Sequence, residues 1–316
     1  MFIYKNNLEI MDIYLASPRG FCAGVVLAID LVEYALKKFG PPVYVKHQIV
    51  HNSFVVSEVE SKGAITVESV SQIPDNSTVV FSAHGSPPED YKIAETKNLK
   101  VIDATCPLVT KVHNEAKKYS KEGKEIILVG HKGHQEVIGT SGQTKMKIID
   151  DREEFELTKK SSKNKNDVVV LSQTTLSVRD TKNTIEKIRE IYPNALIRND
   201  ICYATTNRQE VTVKLAKEVD LVLVVGASNS SNCNRLKDVA IDSGTKSYLI
   251  NSFEEIKPEW LININKLGVT SGASTPDKLV YEIITKLKPK SVHQVEDRSE
   301  NIVFEIPRKV KNLLNQ

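Results

Sequence analysis

Cys22, Cys106 and Cys202 stand 84 and 96 residues apart, each between a strand-like run and a stretch with helical periodicity. Such intervals are too long for a sequence-local metal knuckle and match the length of a small α/β unit. The three thiols can therefore serve one centre only if three similar units surround it. The segments downstream of the cysteines support the repeat. Behind Cys22, the apolar run 42–46 leads to His51, 29 residues beyond the thiol; behind Cys106, the run 125–130 leads to His134, 28 beyond. Behind Cys202, the run 220–226 leads to Ser230, Ser231 and Asn232, 28 to 30 beyond. A second apolar run in each third, 78–83, 168–172 and 266–270, is followed by His84, Thr174 and Ser274. Each third thus reads cysteine, helix, strand, polar loop, strand, polar loop.

This pattern predicts an α/β fold of three similar units in a pseudo-threefold, trefoil arrangement around a central cavity. The units span residues 22–105, 106–201, and 202–282 joined by 11–21, with 283–316 as a tail packing on the core. Val25, Ala28, Ile29, Val32, Ala35 and Leu36 mark one helical face, Pro107 suits a first helical position, and Thr206 with Gln209 forms a capping box ahead of Val211 and Leu215. The run 301–306 alternates like an edge strand, and the polar stretch 161–167 reads as a surface loop. The pattern begins at Asp12, which makes Met11 an alternative start to Met1. Ligands of open α/β sheets bind beyond the carboxyl ends of the strands, and a helix start there favours a thiolate.

Composition narrows the class of function. A net charge of +3 in 316 residues implies no broad nucleic-acid surface. The longest apolar runs, such as 221–225, fall far short of the roughly 20 residues that span a membrane. Residues 1–10 carry Lys5, Asn6, Asn7 and Glu9 and lack the apolar core of a secretory signal. Four cysteines far apart suit ligands or catalysts in the cytoplasm better than a disulfide framework.

Three convergent thiolates are one short of a four-cysteine zinc site or a fully ligated iron–sulfur cubane, so one metal position stays open to substrate. Cys233 lies in the polar loop 229–234, which has no cysteine counterpart in the other thirds, and reads as a free structural thiol. His51, His84, His134, Ser230, Ser231, Asn232 and Ser274 together suit a phosphate or diphosphate anion. The absence of a Walker loop and of GxGxxG after a strand disfavours nucleotide hydrolysis and a dinucleotide cofactor. Glu136, two residues from His134, is a candidate proton donor to a bound anion, and Thr174 a candidate relay. A zinc-dependent phosphate-ester hydrolase and a non-catalytic iron–sulfur sensor also fit these residues.

The motifs PRGFCAG (18–24), HQIVHN (47–52), SAHG (82–85), DATCPLVTKVH (103–113), GHKGHQE (130–136), SQTTLSV (172–178), DICYATTNRQE (200–210), NSSNCNRL (229–236) and TSGAST (270–275) run in order through the chain. This set resembles that of the LytB/IspH family of 4-hydroxy-3-methylbut-2-enyl diphosphate reductases, from about Asp12 to Pro307. The resemblance implies a three-lobed α/β fold and one [4Fe-4S] cluster held by Cys22, Cys106 and Cys202, with its fourth iron open to substrate. It implies diphosphate binding by His51, His84, His134, Thr174, Ser230, Ser231, Asn232 and Ser274, and proton delivery by Glu136 with Thr174 in its relay. The implied reaction is reductive dehydroxylation of an allylic diphosphate to isopentenyl and dimethylallyl diphosphates, the last step of the non-mevalonate pathway. Electrons would come from a carrier such as ferredoxin or flavodoxin. Cys233 departs from the serine of the family's loop.

Overall fold

The structure, a computed structural model, describes residues 11–156 and 167–315. All but Asp167 of the surface loop expected at 161–167, and the ten residues that bear on the alternative start, lie outside them.

β1 (Asp12–Ser17) opens the chain but lies in the sheet of the third repeat; the first repeat comprises α1 (Ala23–Phe39), β2 (Val43–Lys46), α2 (Ser53–Ser61), β3 (Ala64–Val67), β4 (Thr78–Phe81), α3 (Pro88–Thr96) and β5 (Lys100–Asp103). The second comprises α4 (Pro107–Lys121), β6 (Glu125–Val129), α5 (Gln135–Ser141), β7 (Lys147–Ile149), β8 (Val168–Ser172), α6 (Val178–Ile191) and β9 (Leu196–Ile197). The third comprises α7 (Tyr203–Ala216), β10 (Leu221–Val225), α8 (Ser231–Asp242), β11 (Lys246–Ile250), β12 (Lys266–Ser271) and α9 (Asp277–Leu287); β13 (Ser291–Glu296) and α10 (Arg308–Asn315) come after it.

The strands form three separate sheets, ordered β3-β2-β4-β5, β7-β6-β8-β9 and β11-β10-β12-β1-β13, and every pairing is parallel. The expected α/β class and its three units are therefore present. The repeat is nearly complete: β1, from the start of the sequence, takes beside β12 the place that β5 takes beside β4 and β9 beside β8.

Central strands read as unbroken β-branched and aliphatic runs because both their faces are covered. In β10, Leu221, Leu223 and Val225 enter one apolar layer with Ile13, Leu15, Val269 and Ile283, while Val222 and Val224 enter the opposite one with Val211, Leu236 and Ala240. Likewise Ile127, Val129 and Val170 face one core, and Ile126, Leu128 and Val169 the other.

By internal contacts the chain forms two compact units. One comprises the described parts of 1–22, 51–53 and 203–302 and contains the third sheet; the other comprises the described parts of 23–50, 54–202 and 303–316, with the first two sheets and α10, which contacts α1.

Two sequence expectations shift. The edge strand of the tail is β13 at 291–296, not 301–306, and it pairs with β1 along six residues. Its sequence SVHQVE buries only Val295, so no apolar alternation announces it. Thr206 is not a helix cap: α7 starts at Tyr203, directly after Cys202, and Thr206 lies in its first turn.

Cys233 is fully buried in the layer behind the third sheet, where a Cβ added to Gly272 would come within 2.2 Å of its Sγ. Gly272→Ala should therefore lower stability by about 1–3 kcal/mol through overpacking. Denaturant midpoints should show Gly272→Ala with Cys233→Ala losing less than the sum of the two single losses, because the smaller side chain clears the clash.

Candidate active site

Each cysteine sits just past the carboxyl end of an equivalent strand and just before a helix: Cys22 between β1 and α1, Cys106 between β5 and α4, Cys202 between β9 and α7. Each is held by one backbone bond of the same kind. The N–H of Cys106 donates to the Ala83 carbonyl (3.0 Å), that of Cys202 to Thr174 (3.0 Å) and that of Cys22 to Ala273 (3.1 Å). Every acceptor lies in the loop after the neighbouring strand, β4, β8 or β12. Those loops are anchored in turn: Gln173 N–H to Val129 and Gly272 N–H to Val225, the last residues of β6 and β10, and Ala83 N–H to the Ile49 carbonyl in the loop after β2. The threefold repeat thus extends to single hydrogen bonds.

The unit with the first two sheets brings together four of the expected residues. The rings of His84 and His134 meet edge to face with centroids 6.0 Å apart, and His47 meets His84 in the same way at 5.9 Å. His134 caps α5, its Nδ1 accepting the N–H of Glu136 at 3.2 Å; the Nδ1 atoms of His84 and His47 engage Ser82 Oγ at 3.2 Å and Glu68 Oε2 at 2.9 Å. All three imidazoles are thereby oriented through Nδ1. Behind His84, Gly85 adopts φ +82, and a Cβ there would press on the buried ring of His113 at 2.6 Å. Burial pushes His113 down to about 4, so that ring is a neutral prop.

Glu136, in the first turn of α5, is 3 % exposed. Its Oε1 accepts the Thr174 N–H at 2.7 Å, and the Thr174 hydroxyl lies 3.0 Å from Oε2. Burial pushes the carboxyl up to about 7, the two Thr174 bonds pull against that rise, and the charge of Asp200 adds to it. A side chain so balanced can hold a proton near neutral pH and release it. A second close set of possible ligands in this unit, His131, Asp150 and Asp151, is engaged internally: His131 Nε2 lies 3.0 Å from Asp151 Oδ1, and Arg152 clasps Asp150.

The unit with the third sheet holds Cys22, His51, Ser230, Ser231, Asn232 and Ser274. Ser230 caps α8. The Asn232 Oδ1 accepts the N–H of Ala273 at 3.1 Å, which ties the first turn of α8 to the loop after β12, and the Ser274 hydroxyl donates to the His51 carbonyl at 3.0 Å. Ser230, Ser231 and Asn232 at the start of α8 and Ser274 in the loop after β12 are all buried, beyond the carboxyl ends of β10 and β12.

Comparison with known proteins places this arrangement. The family model described as LytB protein matches residues 13–288. The chain belongs to the LytB family. It is 48 % identical over 311 residues to the 4-hydroxy-3-methylbut-2-enyl diphosphate reductase of Psychromonas ingrahamii, covering 95 % of this chain and 98 % of that protein. It is 46 % identical to the enzyme of the same name from Azotobacter vinelandii, with the same coverage of both chains. Among solved structures it resembles the E-1-hydroxy-2-methyl-but-2-enyl-4-diphosphate reductase of Plasmodium falciparum, with a TM-score of 0.90 and 35 % identity over 96 % of this chain and 98 % of the other. A second, of (E)-4-hydroxy-3-methyl-but-2-enyl diphosphate reductase, the terminal enzyme of the non-mevalonate pathway, gives a TM-score of 0.63 at 33 % identity, covering 88 % of this chain and 99 % of that one.

In this LytB chain the donor set suits a thiolate-held cluster. Cys22, Cys106 and Cys202 are in no disulfide and partly exposed, each at a helix start, where the axial dipole favours an anion. Cys233 is free but buried, and burial pushes its thiol up; it packs the core, as its unmatched place in the repeat implies. Sequence reasoning missed His47, although it shares the motif HQIVHN with His51. It also missed Thr205, whose hydroxyl lies 3.4 Å from Asn232 Nδ2, and the buried Asp200, which accepts the Ser172 N–H.

The raised value of Glu136 predicts a pH effect on stability. Its folded-state value lies above the ordinary 4.5, so the folded chain binds this proton more tightly than the unfolded one. That contribution is complete below about 4.5 and is lost as pH rises through about 7. Across that window, denaturation midpoints of the wild type should fall relative to those of Glu136→Gln; parallel curves would refute the assignment.

Proposed function

We propose that this chain is a 4-hydroxy-3-methylbut-2-enyl diphosphate reductase. It would remove the allylic hydroxyl of (E)-4-hydroxy-3-methylbut-2-enyl diphosphate and form isopentenyl and dimethylallyl diphosphates. The overall change takes up two electrons and two protons, breaks the allylic C–O bond and releases water. The observation that carries the proposal is the thiol repeated at the carboxyl end of three equivalent strands, in a chain whose relatives over nearly its whole length bear that enzyme name.

Cys22, Cys106 and Cys202 would hold one [4Fe-4S] cluster with three protein ligands, whose open fourth iron would supply Lewis acidity and the path for electrons. The remaining residues bind, orient and protonate. His51, His84, His134, Thr174, Ser230, Ser231, Asn232 and Ser274 would receive the diphosphate, imidazoles giving charge-assisted bonds and the hydroxyls and amide neutral ones. Anchoring that end fixes the position of the hydroxyl to be lost. Glu136, neutral through burial, holds a proton ready for the leaving oxygen, and the Thr174 hydroxyl 3.0 Å away fixes the carboxyl plane and can pass the proton on. Electrons would arrive from a small carrier such as ferredoxin or flavodoxin. Among the described residues no helix is long and apolar enough to cross a membrane, and a cytoplasmic place fits the proposed chemistry. The repeats proposed to build the site are 22–105, 106–201 and 202–282 with 11–21, with 283–316 as the added tail.

The deciding experiment is anaerobic turnover of that diphosphate with a reduced viologen, together with iron and sulfide analysis; a colourless zinc protein that leaves the viologen reduced would overturn the proposal. Replacing Cys22, Cys106 or Cys202 by Ser should abolish both the intact cluster and turnover, whereas Cys233→Ser should keep both. Glu136→Gln should still bind substrate but lower kcat by roughly 100-fold or more, the usual cost of losing a positioned general acid. A kcat near wild type would remove Glu136 from the proton path.

A further inference from the structure

Arg208 is the largest side chain buried completely in the described residues, at 0 % exposure, and the proposed chemistry gives it no part. It lies in α7, the helix that begins immediately after Cys202. Its Nη1 donates to both oxygens of Glu300, at 2.9 and 3.1 Å, and to the carbonyl of Ala204, at 3.0 Å. Its Nη2 donates to the carbonyl of Gly20 at 2.9 Å. Gly20 is two residues from Cys22 and is gripped from the other side as well, its N–H bonded to Ser271 Oγ at 2.9 Å. It sits at φ +69, where a Cβ would fall 2.7 Å from Asp277 Oδ1, so the loop has a single tight path between α7 and the end of β12.

The counter-ion comes from the tail beyond the threefold pattern. Residues 297–300 run along α7 as a strap: Asp297 pairs with Lys214, Arg298 with Glu210, and Glu300 with Arg208 and with Asn207 Nδ2 at 2.9 Å. The first two pairs are half exposed on their basic side and contribute little. The third is different in kind, because a guanidinium buried without its carboxylate is strongly penalised and would leave the position it holds.

We propose that Arg208, held by Glu300, is a positioning residue for Cys22: it fixes the Gly20 carbonyl and so sets the direction from which the Cys22 thiol is presented, making the tail part of the cluster-binding apparatus. The chain of contacts is continuous from Glu300 through the guanidinium and the Gly20 carbonyl to the backbone of Cys22, whose own N–H is fixed on Ala273. The inference rests on the assignment of Cys22 as a ligand. It is tested without the cluster, so failure of that assignment and failure of this one are told apart.

In the metal-free full-length chain, the rates at which iodoacetamide alkylates Cys22, Cys106 and Cys202 are read separately by peptide mass spectrometry. Glu300→Ala should accelerate alkylation of Cys22 roughly tenfold, the size expected when a charge-assisted bond that restrains local opening is lost, with Cys106 and Cys202 unchanged. Glu300→Gln, which keeps the shape and one acceptor oxygen and serves if the alanine variant does not fold, should give an intermediate rate. Arg298→Ala, on the same strap but away from Arg208, should leave the Cys22 rate as in the wild type. In the reconstituted holoprotein Glu300→Ala should also release iron to a chelator faster than wild type. An unchanged Cys22 rate in Glu300→Ala, an equal acceleration of all three thiols, or the same acceleration in Arg298→Ala would overturn the proposal.

Discussion

The bond from each cysteine N–H to the loop beyond the neighbouring strand is what the site depends on. A parallel sheet leaves its carboxyl edge with carbonyls and amides that have no partner strand to meet, and buried backbone groups must be satisfied. Here they satisfy one another across adjacent loops, Cys106 to Ala83, Cys202 to Thr174 and Cys22 to Ala273. The same bonds that complete the ends of the sheets therefore place the thiols. Because Thr174 is both the acceptor for Cys202 and the partner of Glu136, the position of a proposed ligand and that of a proposed acid are set by one residue.

The polar side chains at these edges are buried or half-buried, which is costly unless each has a partner. Ser274 meets the His51 carbonyl, Asn232 meets Ala273, and the imidazoles are turned by their Nδ1 contacts. Glu136 is the member whose cost is met by holding a proton rather than by a cation. In that sense the burial that threatens the fold is also the source of an acid poised near neutral pH.

Much of this is legible in the amino-acid sequence. Central strands such as VVVLS and LVLVV declare themselves because both faces are covered, and the thiols and polar loops recur at nearly fixed offsets from those strands. The features that escape have physical causes. β13 buries one side chain and looks like loop, so the alternating run 301–306 is the more strand-like stretch of the tail. Thr206 with Gln209 imitates a cap, but the bond from Cys202 to Thr174 lets α7 begin four residues earlier. Arg208 and Glu300 lie in polar surroundings of sequence that suggest surface, and only packing between segments about ninety residues apart turns them into a buried pair. His47 is hidden beside its more regular neighbour His51.

The position of β1 bears on the order of events during synthesis. Cys22 is the first of the three thiols to be made, yet its strand pairs with β12 and β13, which are translated some 250 residues later. The sheets that carry Cys106 and Cys202 draw only on strands from 43 to 197 and can close while the rest of the chain is still being made. The proposed cluster, which would need all three cysteines in place, could then be inserted only after translation has passed β12, so the thiol synthesised first would be the last to be seated.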